Sequence, residues 1–106
     1  MLAPTSAKRY PTFASFYPRY IELHQNSLNR RCHFLGHLLV VTLLTAFVVT
    51  GETWCLIAAP VGGYGLSWIG HVCFEHNKPA SKDNPVWSFL SSFAMFRDML
   101  LRRLPF

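Results

Sequence analysis

Charged residues are scarce in this sequence. They make up 14% of its 106 residues, whereas an ordinary soluble domain carries about a quarter. Between Arg31 and Glu75 the only charged residue is Glu52. Hydrophobic residues reach 51%, and a chain this short buries too little surface to hide so much apolar material from water. The composition therefore favours a membrane protein of a single domain.

Motifs of several soluble protein classes are also missing. There is no phosphate-binding G-x-x-x-x-G-K-[ST] loop, no G-x-S-x-G nucleophile turn and no C-x-x-C pair. The three cysteines are an odd number, which predicts neither a disulfide framework nor a zinc knuckle. The net charge of +5 comes from basic residues that flank apolar segments. We therefore expect membrane lipid, and no nucleic acid, as the partner of this charge.

Helical periodicity is what the sequence does contain. We predict a flexible tail over residues 1–11 and one membrane-embedded helical domain over residues 12–106. Apolar positions 13, 16, 17, 20, 23 and 24 recur with helical spacing, which predicts an amphipathic helix in the headgroup region. Crossings are predicted at about 33–50 and 54–74, because about 20 apolar residues span a bilayer. A further helix over about 85–104 is expected to lie at the interface or against the crossings; the alternative is a third crossing.

The two crossings should form an antiparallel hairpin, since the turn between them is very short. Basic residues precede and follow the hairpin, while the turn carries only Glu52. This pattern places both ends in the cytoplasm, at the inner membrane in a bacterium or the endoplasmic reticulum in a eukaryote. Ala59, Gly63 and Ser67 recur every four residues and predict close helix packing. The same small residues would also suit a homo-oligomer.

The hairpin brings histidines together. His33 lies about 18 residues before the turn and His71 about 18 residues after it, so both reach the same membrane level. Glu75 follows His71 by one helical turn, and His24 lies at the same interface. Ionisable groups at membrane depth are costly and usually functional. Imidazoles with one carboxylate suit non-haem Fe(II) or zinc, although hydrogen-bonded packing histidines are the alternative.

Four more residues are candidates for a supporting role around this site. Asn29 precedes His33 by one turn and would either orient it or cap the helix. His37 follows His33 by one turn and would either bind metal or bond a backbone carbonyl. His76 and Asn77 come directly after Glu75.

Two sequence blocks are similar to the signatures of a known membrane family. The first is F-Y-P-R-Y at 16–20, then His24 and N-R-R-C-H-F-L-G at 29–36; the second is G-H-V-C-F-E-H-N-K-P-A at 70–80. In this order and spacing they resemble the 2-hydroxy-fatty-acid dioxygenases named for the metabolism of phytosphingosine to odd-numbered fatty acids. The resemblance covers nearly the whole chain, from about residue 13 to the C-terminal helix.

This resemblance implies an Fe2+-dependent dioxygenase of fatty-acid α-oxidation. Its substrates would be a 2-hydroxy fatty acid and O2, and its product the acid one carbon shorter. Position by position, His24, His33 and His71 match the family's histidines and Glu75 its acidic position, which makes these four the implied ligands and catalytic residues. His37 falls where many relatives have another residue. The acyl tail would lie along the hairpin.

Other hypotheses remain open on the sequence alone. One is a non-enzymatic metal-binding or helper protein in a larger complex, which the short chain favours. Others are a haem-binding electron carrier that uses a histidine pair, and a zinc-dependent membrane hydrolase.

Overall fold

Four α-helices and one π-helix make up the fold, seen in a computed structural model that describes residues 9–78 and 83–106. They are α1 (Phe13–Glu22), α2 (Ser27–Thr50), α3 (Trp54–Ile69), the π-helix (Gly70–Glu75) that continues α3, and α4 (Pro85–Leu100). No strand occurs within the described ranges, and the predicted all-α class is confirmed. Most of the predicted flexible tail, residues 1–8, lies outside the described residues.

Helices α2 and α3 form the predicted hairpin. The first of them begins earlier than expected because Asn26 caps it: its side-chain oxygen accepts from the Leu28 amide at 2.8 Å. It ends at Gly51, whose φ of 74° suits a left-handed C-cap. The two helices are in close contact where a Cβ on Gly36 would lie 3.0 Å from the carbonyl oxygen of Gly63. Small residues therefore set the hairpin's spacing.

Both arms of the hairpin are long and apolar enough to span a membrane. Ser27–Thr50 has 24 residues, and an 18-residue stretch of it has a mean hydropathy of 2.1; Trp54–Glu75 has 22 residues, with 1.2 over such a stretch. Their outer faces are strongly exposed, with Val48 at 81% and Ile57 at 65%. A continuous exposed apolar surface of this kind marks a lipid or protein contact.

Helices α1 and α4 pack together beside the hairpin. Phe16 and Tyr20 of α1 are buried against Met95 and Met99 of α4. On α4 it is the serine side that faces the protein, since Ser88, Ser91 and Asp98 are buried whereas Phe89 and Phe93 are exposed. This arrangement, with the polar side chains and two methionines inside and the phenylalanines outside, suits a helix in contact with lipid.

The two ends of α4 are fixed by hydrogen bonds outside the helix. At the start, the Tyr10 amide donates to Asn84 Oδ1 at 3.1 Å and the Trp87 indole donates to the Tyr10 carbonyl at 2.9 Å, so Tyr10 of the predicted tail is anchored. At the end, α4 stops at Leu100 rather than near 104. The Asp98 carbonyl there accepts from the amide of Arg103 at 2.7 Å, which turns the chain away from the helix axis.

A hydrogen bond between α1 and α4 gives a testable contribution to stability. The Tyr17 hydroxyl donates to Asp98 Oδ2 at 2.7 Å. Burial alone would raise the pKa of Asp98, but this bond and the charges of Arg97 and Arg103 lower it below the ordinary 3.8. Because the folded-state pKa is depressed, the stabilisation is present at neutral pH and is lost as the pH falls through that folded-state value.

We expect Tyr17→Phe to lower the free energy of unfolding in detergent by about 1–2 kcal/mol at pH 7. The loss should shrink in the acid range below 3.8, where Asp98 becomes protonated. Thermal unfolding followed by circular dichroism measures both values. Tyr64→Phe, at an exposed position, is the matched control; equal losses in both variants would contradict the assigned role of the Tyr17 bond.

Candidate metal centre

Three imidazoles meet inside the protein. His24 lies in the loop after α1, His33 on α2 and His71 on the π-helix. Their ring centroids are 4.6 Å (His24–His33), 4.5 Å (His24–His71) and 4.9 Å (His33–His71) apart. One nitrogen from each ring lies within 4.8 Å of the others. All three rings are buried, with at most 4% exposure. The arrangement is a compact set of nitrogen donors shielded from water.

The hydrogen bonds of the three rings fix which nitrogen faces the cluster. The Nδ1–H of His24 donates to the Tyr20 carbonyl at 2.5 Å, and that of His33 to the Asn29 carbonyl at 3.0 Å. The Nδ1–H of His71 donates to Asn77 Oδ1 at 2.6 Å. Each acceptor is an oxygen without a proton of its own, so Nδ1 carries the hydrogen. The Nε2 lone pairs are thereby left for a ligand.

His24 supplies the test of whether these residues fit a metal ion. Its Nε2 is buried and has no hydrogen-bond partner, a condition that costs about 1–3 kcal/mol if nothing binds the atom. Burial, followed by the nearby His33, lowers the pKa of His24 well below 6.5, and this outweighs the opposing bond to Tyr20. The ring is neutral at pH 7, so its lone pair can coordinate a cation. The donor set fits a transition metal.

Asn29 and Gly70 set the distance between His33 and His71. Asn29 is fully buried, and a Cβ on Gly70 would collide with its Oδ1 and lie 3.1 Å from the Cβ of Cys32. Only glycine allows this approach. Gly70 also begins the π-helix, a conformation often found at functional sites. Asn29, predicted as a helper of His33, thus contacts both sides of the cluster.

Glu75 lies beside the cluster and not within its group of donor atoms. Its Oε1 accepts from the amide of Asn26 at 2.9 Å and from Nδ2 of Asn29 at 3.0 Å. In return, Asn26 Nδ2 donates to the carbonyl of Phe74 at 3.1 Å. These bonds tie the end of the π-helix to the start of α2. The ligand role predicted for Glu75 stays a prediction, and the structure places its carboxylate as an anchor.

The remaining predicted residues lie around the cluster. Asn77 holds His71 and also donates to the carbonyl of Leu23 at 3.0 Å. His37 is outside the donor group; its Nδ1–H donates to the His33 carbonyl at 3.1 Å and its ring packs on Phe93. His76 is exposed, with a φ of 59° at the end of the π-helix.

The sequence analysis did not assign the roles that three further residues have at the site. The ring of Tyr20 stacks on His24 with centroids 4.0 Å apart. Asn26 was detectable as an N-cap, since it precedes a long apolar run. Arg30 is buried, and its Nη1 donates to the carbonyls of His24 and Gln25 at 3.0 and 2.8 Å. No sequence pattern predicts that this guanidinium binds the backbone of the loop that carries His24.

Comparison with known protein families gives a match over most of the chain. The profile of the family described as 2-hydroxy-palmitic acid dioxygenase Mpo1-like matches residues 10–104. The chain belongs to this family. The suspected family resemblance is confirmed, and the matched region contains all three clustered histidines. No curated protein and no solved structure matches the chain. The roles of individual residues in this Mpo1-like chain therefore rest on geometry.

Gly70→Ala tests whether the close approach to Asn29 holds the Mpo1-like cluster together. Alanine is favoured over glycine in helices by up to about 1 kcal/mol, so the substitution should not destabilise the helix through its backbone propensity. We expect the added methyl to push the π-helix from α2 and to weaken metal binding by at least about tenfold. Titration of the purified protein with Co2+, followed by absorbance, measures this.

Gly65→Ala is the matched control for this variant, because a Cβ there has no neighbour within 4 Å. It should bind metal as the wild type does. Unchanged binding in Gly70→Ala would show that the Asn29–Gly70 contact does not control the cluster.

Proposed function

We propose that the protein is an Fe2+-dependent dioxygenase that converts 2-hydroxy fatty acids to acids one carbon shorter, as in α-oxidation. His24, His33 and His71 would hold the iron. The observation that carries this proposal is the meeting of three buried imidazoles with their Nε2 atoms left unbonded by the protein's hydrogen-bond network. The family name, which refers to 2-hydroxy-palmitic acid, supports the substrate class and O2 as its co-substrate.

The three imidazole donors narrow the choice of metal but do not by themselves select one. Imidazole suits zinc, copper, iron and nickel, and the oxygenase family supports iron among them. Three protein ligands leave coordination positions open. When bound there, ferrous iron would polarise the carboxylate and hydroxyl oxygens of a 2-hydroxy acid and activate O2.

The protein's own residues would orient the site and exclude water. The backbone carbonyls of Tyr20 and Asn29 and the side-chain Oδ1 of Asn77 accept from the three rings and would hold them in one tautomer. The Arg30 guanidinium donates through Nη1 to the backbone carbonyls of His24 and Gln25, so it would fix the His24 loop. Substrate binding would then depend on the metal and on the apolar surface next to it.

A membrane location agrees with a lipid substrate. Two helices are long and apolar enough to cross a bilayer. We place both ends of the hairpin on the cytoplasmic side by the positive-inside tendency, with the cluster at that interface. A 2-hydroxy fatty acid dissolved in the bilayer presents its head at this level while its tail stays in lipid.

The decisive experiment compares wild-type protein with the His33→Ala/His71→Ala double variant. Detergent-purified, iron-supplemented wild type should contain about one iron per chain, since one cluster holds one ion, and should consume O2 with a 2-hydroxy fatty acid. The double variant should lose both, because two of its three ligands are gone. Elemental analysis, an oxygen electrode and mass spectrometry of the shortened acid are the measurements. His76→Asn, at an exposed position, is the control.

Other outcomes of this comparison would contradict the proposal, each in a different way. Iron retained by the double variant would rule out the cluster as the metal site. Iron bound without turnover would favour the non-enzymatic metal-binding hypothesis. Stoichiometric zinc with O2-independent hydrolysis would indicate a hydrolase.

Glu75→Gln separates an anchor from a ligand. The amide oxygen of glutamine can still accept from the Asn26 amide and from Asn29, but it has lost the negative charge of a ligating carboxylate. We therefore expect iron content to stay within about twofold of the wild type, well short of the loss that follows ligand removal. Glu75→Ala, which removes the acceptor, should weaken iron binding. A complete loss of iron in Glu75→Gln would make Glu75 the fourth ligand.

A further inference from the structure

A groove leads away from the histidine cluster between α3 and α4. Its floor is α2, and its volume is 490 Å³. At one end it is lined by His33 and His71, and at the other by Leu44 and Ala59. Its walls are almost entirely apolar between these points, and two of its three helices are the candidate membrane spans.

The groove has the length and width of one hydrocarbon chain. From His33 to Leu44 the helix rises by about 16 Å at 1.5 Å per residue. The volume of 490 Å³ over this length corresponds to a cross-section of about 30 Å². Apolar atoms pack at about 4–4.5 Å, so a single acyl chain needs on the order of 20 Å².

We infer that this groove is the acyl-chain site, with the carboxyl end at the histidine cluster and the chain running toward Leu44 and Ala59. The inference rests on the proposed function for the identity of the head. An extended chain advances about 1.3 Å per carbon, so the groove holds roughly the first dozen carbons. Longer chains project beyond Leu44. The site would distinguish its ligands by the packing of the chain, since no hydrophobic gain accompanies transfer from lipid to an apolar groove.

Leu44→Trp tests the far end of the groove. The indole would fill the space near Ala59 that the far part of a long acyl chain occupies. The resulting overpacking should weaken the binding of such a chain by about tenfold. Leu38→Trp is the matched control, since Leu38 is on the same helix and is similarly exposed (41% against 43%) but does not line the groove. Displacement of a fluorescent fatty acid from purified protein by 2-hydroxy fatty acids of about eight and about sixteen carbons gives the affinities.

We expect Leu44→Trp to weaken the binding of the long acid about tenfold and to change the affinity for the short acid less than about twofold. Leu38→Trp should change neither. Equal effects of the two variants, or an equal loss for both acids, would overturn the assignment of the groove.

Photo-crosslinking of the wild type keeps the inference testable should Leu44→Trp fail to fold. A 2-hydroxy fatty acid with a diazirine at about the tenth carbon should label peptides that contain Leu44 or the first half of α3. Labelling spread over the outer faces of α2 and α3 would overturn the inference. If Leu44→Trp weakens binding of the long acid selectively but the wild type consumes no O2, the groove is supported as the acyl-chain site and the oxygenase function is rejected. The failure of the inference is thus distinguishable from the failure of the proposed function.

Discussion

The contact between Asn29 and Gly70 is the constraint on which the rest of the site depends. Asn29 contacts the π-helix at Gly70, where no side chain is present. Its backbone carbonyl accepts from the Nδ1–H of His33, and its side-chain Nδ2 donates to Oε1 of Glu75. One buried residue thereby connects α2 to both ends of the π-helix. Because packed interiors do not deform continuously, this single distance determines how near the rings of His33 and His71 come.

Buried polar groups explain much of the remaining architecture. In an apolar environment an unpaired polar atom costs several kcal/mol, so polar side chains collect in the interior and bond one another or the backbone. Asn26, Arg30 and Asn77 all do this around the loop that carries His24. Among the described residues, five buried side-chain atoms lack a hydrogen-bond partner: His24 Nε2, Asn29 Oδ1, Arg30 Nε, Ser88 Oγ and Ser91 Oγ. Of these, the Nε2 of His24 belongs to a ring that meets two other imidazoles, and a ligand is expected there.

The same geometry joins a polar head site to an apolar chain site. The cluster occupies one end of the hairpin, and the groove continues from it along α2. A ligand with one chelating end and one hydrocarbon chain matches both parts at once. The structure therefore relates the substrate class suggested by the family to a specific surface of this chain.

Sequence and tertiary structure each determined a different part of this protein. Apolar runs of about 20 residues with a short turn predict two antiparallel helices, and their equal lengths bring His33 and His71 to one level; both follow from local periodicity and counting. The sequence did not predict the π-helix, the anchoring of Glu75 by Asn26 and Asn29, or the inward serine side of α4. These depend on contacts between residues about 50 or more positions apart, and a one-dimensional pattern carries no record of such contacts until the helices pack.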